Sequence, residues 1–151
     1  MDTLDYRIPK IEAIVDIAID NGVNLEQDEY VLFLDKLSLY RKGEETIFEF
    51  LNKKKKHIPI KKKSTGEFCI VNLDEIAYVS QKGTSDAPCE QTLILHMVNH
   101  CTLQVAHMNT LPEGHSRILD YLNQESQFLL FFKDEQKLFV NKTKIVRVEE
   151  K

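Results

Sequence analysis

Apolar and polar residues alternate in the first part of this chain, which is the pattern of a strand with one buried face. Over 10–20 (KIEAIVDIAID) every second residue from Ile11 to Ile19 is apolar, and Asn21-Gly22 then supplies a hairpin-turn dipeptide. Apolar residues at 47, 48 and 51 lie on one face of a short helix predicted over 44–52. The same criteria predict further strands at 30–35, 57–62, 67–71 and 76–80.

The second half of the chain repeats this order of elements. It predicts a hairpin (92–98 and 101–107), a helix over 113–123, and strands at 128–132, 137–140 and 145–148. The segment 81–90 contains Gly, Ser, Asp and Pro and is predicted to be a linker. We therefore divide the chain into an N-terminal arm (1–9), a first repeat (10–80), the linker (81–90) and a second repeat (91–151).

Two collinear sequence matches support an internal duplication. RKGEETIFEFLN (41–52) matches PEGHSRILDYLN (112–123) at an offset of 71 residues, and IVNLDEIAYV (70–79) matches FVNKTKIVRV (139–148) at an offset of 69. We therefore expect an α+β, mainly β protein of two tandem β-β-α-β-β repeats. Each would be a small, strongly bent sheet or partial barrel with one short helix, and the two would pack face to face around a shared core with pseudo-twofold symmetry.

One strand of the second repeat is apolar at every position. The run FLLFF (128–132) cannot alternate between core and solvent, so we expect it to be covered on both sides, between the two repeats or between two chains of a homodimer. Phe128, Phe131 and Phe132 are the candidate interface residues. A unit of about 65 residues is marginally stable alone, which favours such a shared interface.

Composition narrows the class of protein. The chain has 151 residues, 42% hydrophobic and 29% charged, which is typical of a globular fold and not of a disordered chain. No apolar run approaches the roughly 20 residues of a membrane helix. The start has no basic segment leading into an apolar one, and the three cysteines form no CxxC pair. We therefore expect a cytoplasmic protein that does not bind membranes.

Lysines are concentrated in one short segment. Residues 53–63 contain no acidic residue and carry seven lysines: Lys53, Lys54, Lys55, Lys56, Lys61, Lys62 and Lys63. The rest of the chain holds 13 basic against 24 acidic residues. Such a patch can contact an acidic protein, the phosphates of nucleic acid or an anionic membrane.

A structural explanation of the lysines competes with these functions. Cations after a helix offset the negative end of its dipole, and lysines on an edge strand, which Pro59 indicates here, discourage aggregation. However, the matching stretch of the second repeat, QESQFLLFF, has no positive charge, so the fold does not require lysines there. This difference favours a binding role for the lysines, and the lack of interleaved aromatic residues makes an acidic protein the better candidate partner than nucleic acid.

Other chemistry has little support. The cysteines and histidines around the second hairpin are Cys89, His96, His100, Cys101, His107 and His115. If the hairpin turns at Asn99-His100, residues whose numbers sum to 199 lie opposite each other. His96 and His107 would then share a face of the sheet but lie about 13 Å apart, at roughly 3.3 Å per residue. That distance is too great for both side chains to bind one metal ion. Ser116 is expected to cap the second helix, and no nucleophile elbow or Gly-rich phosphate loop is present. We predict no metal, no cofactor and no catalytic residues.

The string LPEGHSRILDYLN, followed by FVNKTKIVRV, resembles a group of small bacterial proteins of unknown function. The resemblance covers 111–149 well and the first repeat loosely, and it implies a compact bacterial domain without an activity to carry over. The element order is also similar to Sm-like and SH3-like barrels, which host many functions. The Arg-x-x-x-Arg of PilZ-type dinucleotide receptors is missing.

Together these patterns favour a non-enzymatic protein-binding, adaptor or regulatory module. Nucleic-acid binding by an Sm-like barrel through the lysines of 53–63 is the alternative. A small hydrolase-like enzyme is a second and disfavoured alternative.

Overall fold

The computed structural model describes residues 10–39, 42–83, 91–107 and 117–150. The strands within them are β1 (Lys10–Asp20), β2 (Leu25–Asp35), β3 (His57–Lys62), β4 (Phe68–Asn72), β5 (Ile76–Gln81), β6 (Gln91–Met97), β7 (Thr102–His107), β8 (Phe128–Lys133), β9 (Gln136–Asn141) and β10 (Ile145–Glu150). The α-helices are α1 (Ile47–Leu51) and α2 (Arg117–Leu122). The predicted arm at 1–9 and most of the predicted linker lie outside the described residues.

All ten strands belong to one antiparallel sheet. Their order is β10-β6-β7-β8-β9-β5-β1-β2-β3-β4, so β10 and β4 form its two ends. The prediction of a mainly β fold with two short helices is confirmed. The expected face-to-face packing of the two halves is wrong, because they lie side by side in one continuous sheet.

The two halves are joined by unlike strands. β5 of the first half pairs with β9 of the second half, and Val79 lies opposite Phe139 at the centre of this ladder. A twofold arrangement would instead bring the same surface of each half together. The expected pseudo-twofold packing is therefore not the arrangement observed at this junction, which we call the β5–β9 joint.

Local hydrogen bonds explain where the helices and turns begin. Thr46 caps α1 through a capping box, in which its hydroxyl accepts from the Glu49 N–H at 3.1 Å and the Glu49 carboxylate accepts from the Thr46 N–H at 2.8 Å. Helix α1 consequently begins at Ile47, three residues later than predicted. Asn72 and Asn141 each cap a 3-10 turn, at 73–75 and 142–144, that separates two strands.

The apolar core forms two clusters that exchange residues across the β5–β9 joint. The first cluster comes from β1–β5 and α1, and also contains Phe128 and Phe139 of the second half. The second cluster comes from β6–β9 and α2, and also contains Ala18 and Ala77 of the first half. Each fully buried Phe contributes about 1.5–3 kcal/mol, so these shared residues hold the two halves together.

Among the described residues, no helix is long and apolar enough to cross a lipid bilayer.

Candidate functional site

A groove beside α1 combines apolar and basic side chains. It encloses about 400 Å³. The lining residues are Lys10, Phe33, Phe50, Lys53, Lys55, His57, Ile58, Pro59 and Phe68. We call this site the basic groove.

The apolar wall of the basic groove is a pair of stacked aromatic rings. The centroids of Phe33 and Phe68 lie 5.7 Å apart with 17° between the ring planes. Phe68 projects from β4 and remains 68% exposed. Lys61 lies opposite Phe68 in the β3–β4 ladder, which brings its Nζ to 5.8 Å from the centroid of the Phe68 ring. An exposed aromatic ring with a cation over it can bind an apolar or aromatic group of a partner.

A cluster of ion pairs lies at the base of the basic groove. It consists of Lys10, Asp35, Glu45 and Lys53, and we call it the ion cluster. Lys53 Nζ lies 2.8 Å from Glu45 Oε2 and 3.2 Å from Asp35 Oδ2, and its side chain is only 9% exposed. Lys10 Nζ binds the other oxygen of Asp35 at 2.6 Å. Glu45 also accepts a hydrogen bond from the Asp35 N–H at 2.9 Å. These contacts fix the end of β2 against the segment that enters and leaves α1.

The ion cluster shifts the pKa of its members. Burial raises the pKa of Asp35, but hydrogen bonds from Lys10 and Lys53 outweigh burial and hold the pKa below its ordinary value. Burial likewise lowers the pKa of Lys53, but its contacts with Glu45 and Asp35 outweigh burial and raise the pKa above its ordinary value. Both groups therefore stay charged at neutral pH.

The seven clustered lysines have different environments. The sequence predicts that Lys53 contacts a partner. Its ammonium group is instead held by Glu45 and Asp35 in the ion cluster and is not free for a partner. Lys61 and Lys62 are partly buried. Lys61 Nζ lies 3.8 Å from Glu12 Oε2, and Lys62 Nζ lies 3.3 Å from Asp28 Oδ2. The remaining four are exposed and form no ion pair with a described residue: Lys54, Lys55, Lys56 and Lys63.

The predicted edge position of the lysine strand needs correction. β3, which carries Pro59, lies between β2 and β4, and β4 is the strand at the end of the sheet. Pro59 is tolerated because β2 pairs only with 60–62 of β3, so the proline lies outside that ladder.

The candidate interface phenylalanines are buried within the chain. Phe128 and Phe131 are fully buried and Phe132 is 7% exposed. Phe128 belongs to the first core cluster and Phe131 to the second, so β8 has apolar contacts on both faces. Its apolar run lies at the boundary between the two halves of the chain.

The second hairpin differs from the prediction by one residue in register. His96 lies opposite Thr102 and His107 lies opposite Gln91. The numbers of paired residues therefore sum to 198 and not to the predicted 199. The two histidines therefore lie on opposite faces of the sheet. His96, His100 and Cys101 line one shallow groove, but within the described residues no group of three or more metal-ligating side chains could hold an ion. Cys89, His115 and Ser116 lie outside these residues.

Sequence reasoning missed the aromatic part of the basic groove. Phe33 and Phe68 are 35 residues apart in the sequence and come together only through the order of the strands. One signal was available: strand 67–71 places Phe68 and Ile70 on one face next to a lysine-rich strand, which is unusual for a solvated surface.

No family model, no curated protein and no solved structure matches this chain.

Proposed function

We propose that this chain is a tandem duplication of one β-rich module and acts as a non-enzymatic protein-binding module, an adaptor or regulator in a bacterial cytoplasm. In this proposal it recognises an acidic, partly apolar segment of another protein in the basic groove. The groove carries the proposal because it places the exposed Phe68 ring and the half-buried Phe33 ring beside Lys55, which has no ion-pair partner among the described residues.

The strand order supports the duplication. In each half, the last strand lies beside the first and the rest follow in sequence, as β5-β1-β2-β3-β4 and as β10-β6-β7-β8-β9. Matched backbone contacts have the same offsets as the sequence repeat. Leu73 N–H donates to the Lys56 carbonyl at 2.8 Å, and Lys142 N–H donates to the Gln127 carbonyl at 2.9 Å. The resemblance to small bacterial proteins fits this proposal but identifies no partner.

A comparison of the two halves supports a role for the exposed lysines. The residues matching Lys54 and Lys55 in the second half are Glu125 and Ser126. Both segments follow a short helix and lead into the third strand of their half. Lys54 has a positive φ and Glu125 does not, so the two backbone paths differ in detail. Because the second half still connects its helix to its third strand without lysines, stability of the fold does not explain them.

The chemistry of the groove defines its ligand. An apolar side chain of the partner would pack on Phe33 and Phe68, while carboxylates would approach Lys55 and His57. Exposed ion pairs contribute about 0.2–1 kcal/mol each and are screened by salt. We therefore expect modest affinity that falls as salt is added.

Catalysis is not part of the proposal. The titratable groups at the base of the groove, Asp35, Glu45 and Lys53, are occupied by one another in the ion cluster. This favours a structural role for them over acid–base chemistry.

The proposal is tested with a labelled peptide in which glutamates alternate with leucines, followed by fluorescence anisotropy. We expect binding by the wild type and a roughly two- to fivefold weaker affinity for Lys55→Gln. Lys137→Gln removes the same charge from the β8–β9 hairpin and should bind like the wild type. Equal weakening in both variants, or no binding by the wild type, would contradict the proposal.

Nucleic-acid binding is the second candidate. The sequence disfavoured it because no aromatic residues are interleaved with the lysines, but the fold brings the exposed Phe68 ring next to Lys61. Bases stack on such rings while lysines contact phosphates. A labelled single-stranded RNA in the same titration separates the two functions. Tight, steeply salt-dependent RNA binding with no binding of the acidic peptide would replace the protein partner with nucleic acid.

A further inference from the structure

At the β5–β9 joint, the β8–β9 hairpin of the second half packs against β5 and α1 of the first half. The ladder pairs Val79 with Phe139. The Phe139 ring also packs on Phe48 of α1, with ring centroids 6.2 Å apart, and is only 2% exposed. The groove between α1 and β5 is thus filled by the hairpin of β8 and β9.

The corresponding groove of the second half is not covered by any described residue. It lies between α2 and β10 and encloses about 840 Å³. Leu119, which matches Phe48 at the offset of 71, is 59% exposed there. Val146 of β10 is also exposed. An open apolar groove beside an end strand of a sheet can accept another strand.

The strand that would fill such a groove lies at the other end of the sheet. β4 of the first half matches β9, and its Ile70 takes the position of Phe139 at the offset of 69. Ile70 is 74% exposed, although its counterpart is buried. Exposed apolar residues on an end strand invite pairing with another strand.

Two asparagines of the joint have counterparts at these ends. The Asn52 side chain accepts from the Phe128 N–H at 2.9 Å and donates to its carbonyl at 3.2 Å, and the Asn141 amide donates to the Ile76 carbonyl at 2.9 Å. Their counterparts are Asn123 and Asn72. Neither counterpart has a side-chain hydrogen bond to another half among the described residues.

We propose that a second copy of this chain docks its β4 on β10, repeating the β5–β9 joint between molecules. Ile70 of one copy would pack on Leu119 of the other. Shifting the observed register by 69 residues on each side places Ile70 opposite Val148 and Cys69 opposite Glu149.

Charge supports this register. Extending the same register places Glu150 opposite Phe68. Lys61 is the partner of Phe68 in the β3–β4 ladder, so it would lie near Glu150 of the other copy. The acidic end of β10 would thus meet the lysine-rich hairpin of β3 and β4, which is a complementary arrangement.

Because β4 and β10 are different surfaces, the copies join head to tail, and an open assembly keeps one free β4 at one end and one free β10 at the other until it closes. This inference rests on the duplication in the proposed function. It does not depend on the acidic partner.

Sedimentation velocity with two single variants tests the proposal. Ile70→Lys blocks β4, and Leu119→Lys blocks the groove beside β10. We expect the wild type to sediment as an oligomer over a concentration series, and each variant alone to sediment as a monomer of 17.6 kDa. An equimolar mixture of the two variants retains one intact joint and should form a dimer. Val23→Lys alters another exposed apolar residue, in the β1–β2 turn, and should sediment like the wild type.

Three outcomes would overturn the inference: a monomeric wild type, an unchanged oligomer in both variants, or a mixture that stays monomeric while circular dichroism shows both variants folded. A dimer that resists both changes would indicate a different, twofold surface. A monomeric wild type that still binds the acidic peptide would refute this inference alone. An oligomeric wild type whose monomeric Leu119→Lys variant, with β4 uncovered, binds no peptide would refute only the protein-partner function.

Discussion

Lys53 differs from the neighbouring lysines because its ammonium group is enclosed by two carboxylates. Replacing it with Gln leaves Asp35 and Glu45 close together without their shared cation. Breaking a buried ion pair by removing one partner destabilises a protein by about 3–5 kcal/mol. We expect Lys53→Gln to lower the free energy of unfolding in urea by an amount near the lower end of that range, because Lys10 still contacts Asp35.

Lys54→Gln provides the matched control for this prediction. Lys54 is exposed and adjacent in sequence, and its replacement should change the free energy of unfolding by less than about 0.5 kcal/mol. Equal stability of the two variants would show that the ion cluster does not stabilise the fold.

Two mostly buried aspartates contribute to the way in which the stability of the fold depends on acid. The pKa of Asp20 lies below its ordinary value, because its carboxylate accepts from the Gly22 N–H and contacts Lys144 and Asn99. The pKa of Asp35 is also lowered, by the lysines that outweigh its burial. A folded-state pKa below the unfolded value of about 3.9 adds stability that is complete above that value and is lost as pH falls through the folded-state pKa.

We therefore expect the urea midpoint to fall below about pH 4 and to fall less steeply in Asp20→Asn. The midpoint is measured by circular dichroism between neutral pH and strong acid. An identical pH profile for the variant would contradict the assignment of this effect to Asp20.

The sequence could not predict which of the clustered lysines is buried. The density of lysines in 53–63 identified a basic patch. It could not distinguish Lys53 from Lys54, because the partners of Lys53 come from the end of β2 and from the segment before α1. Burial of a charge depends on contacts that only the fold brings together.

At the scale of elements, strands were predictable from period-2 patterns and turn residues, and β1 was predicted with the bounds observed. The register of the β6–β7 hairpin was not. Its turn uses three residues, with Asn99 and His100 both at positive φ, where the sequence suggested two. A shift of one residue moves side chains to the opposite face, so the predicted arrangement of the histidines was wrong.

Asn52 and Asn123 offer a matched comparison of two equivalent helix ends. Asn52 forms two hydrogen bonds with the Phe128 backbone across the joint, whereas Asn123 is exposed. Loss of a partner for a partly buried backbone group costs about 1–3 kcal/mol. We expect Asn52→Ala to destabilise the chain by this amount and Asn123→Ala by less than about 0.5 kcal/mol.

Both asparagine changes are made in an Ile70→Lys background, so that contacts between copies do not contribute, and stability is measured by urea unfolding. If Asn123→Ala is as destabilising as Asn52→Ala, the joint does not depend on this side chain.

At the scale of the whole molecule, the sequence patterns predicted a mainly β fold with two short helices but not how its two halves meet. A duplication is compatible with face-to-face packing and with side-by-side pairing, because both cover apolar strands. The choice depends on which strand ends are free, and no local pattern encodes this. The same arrangement brings Phe33, Phe68 and Lys55 together in the basic groove.

Binding of the acidic peptide in the basic groove is tested by NMR chemical-shift mapping of backbone amides on the folded chain. We expect shifts concentrated at Lys10, Phe33, Lys55, His57 and Phe68, with β6 and β7 unchanged. No shifts, or shifts concentrated in the groove between α2 and β10, would contradict it.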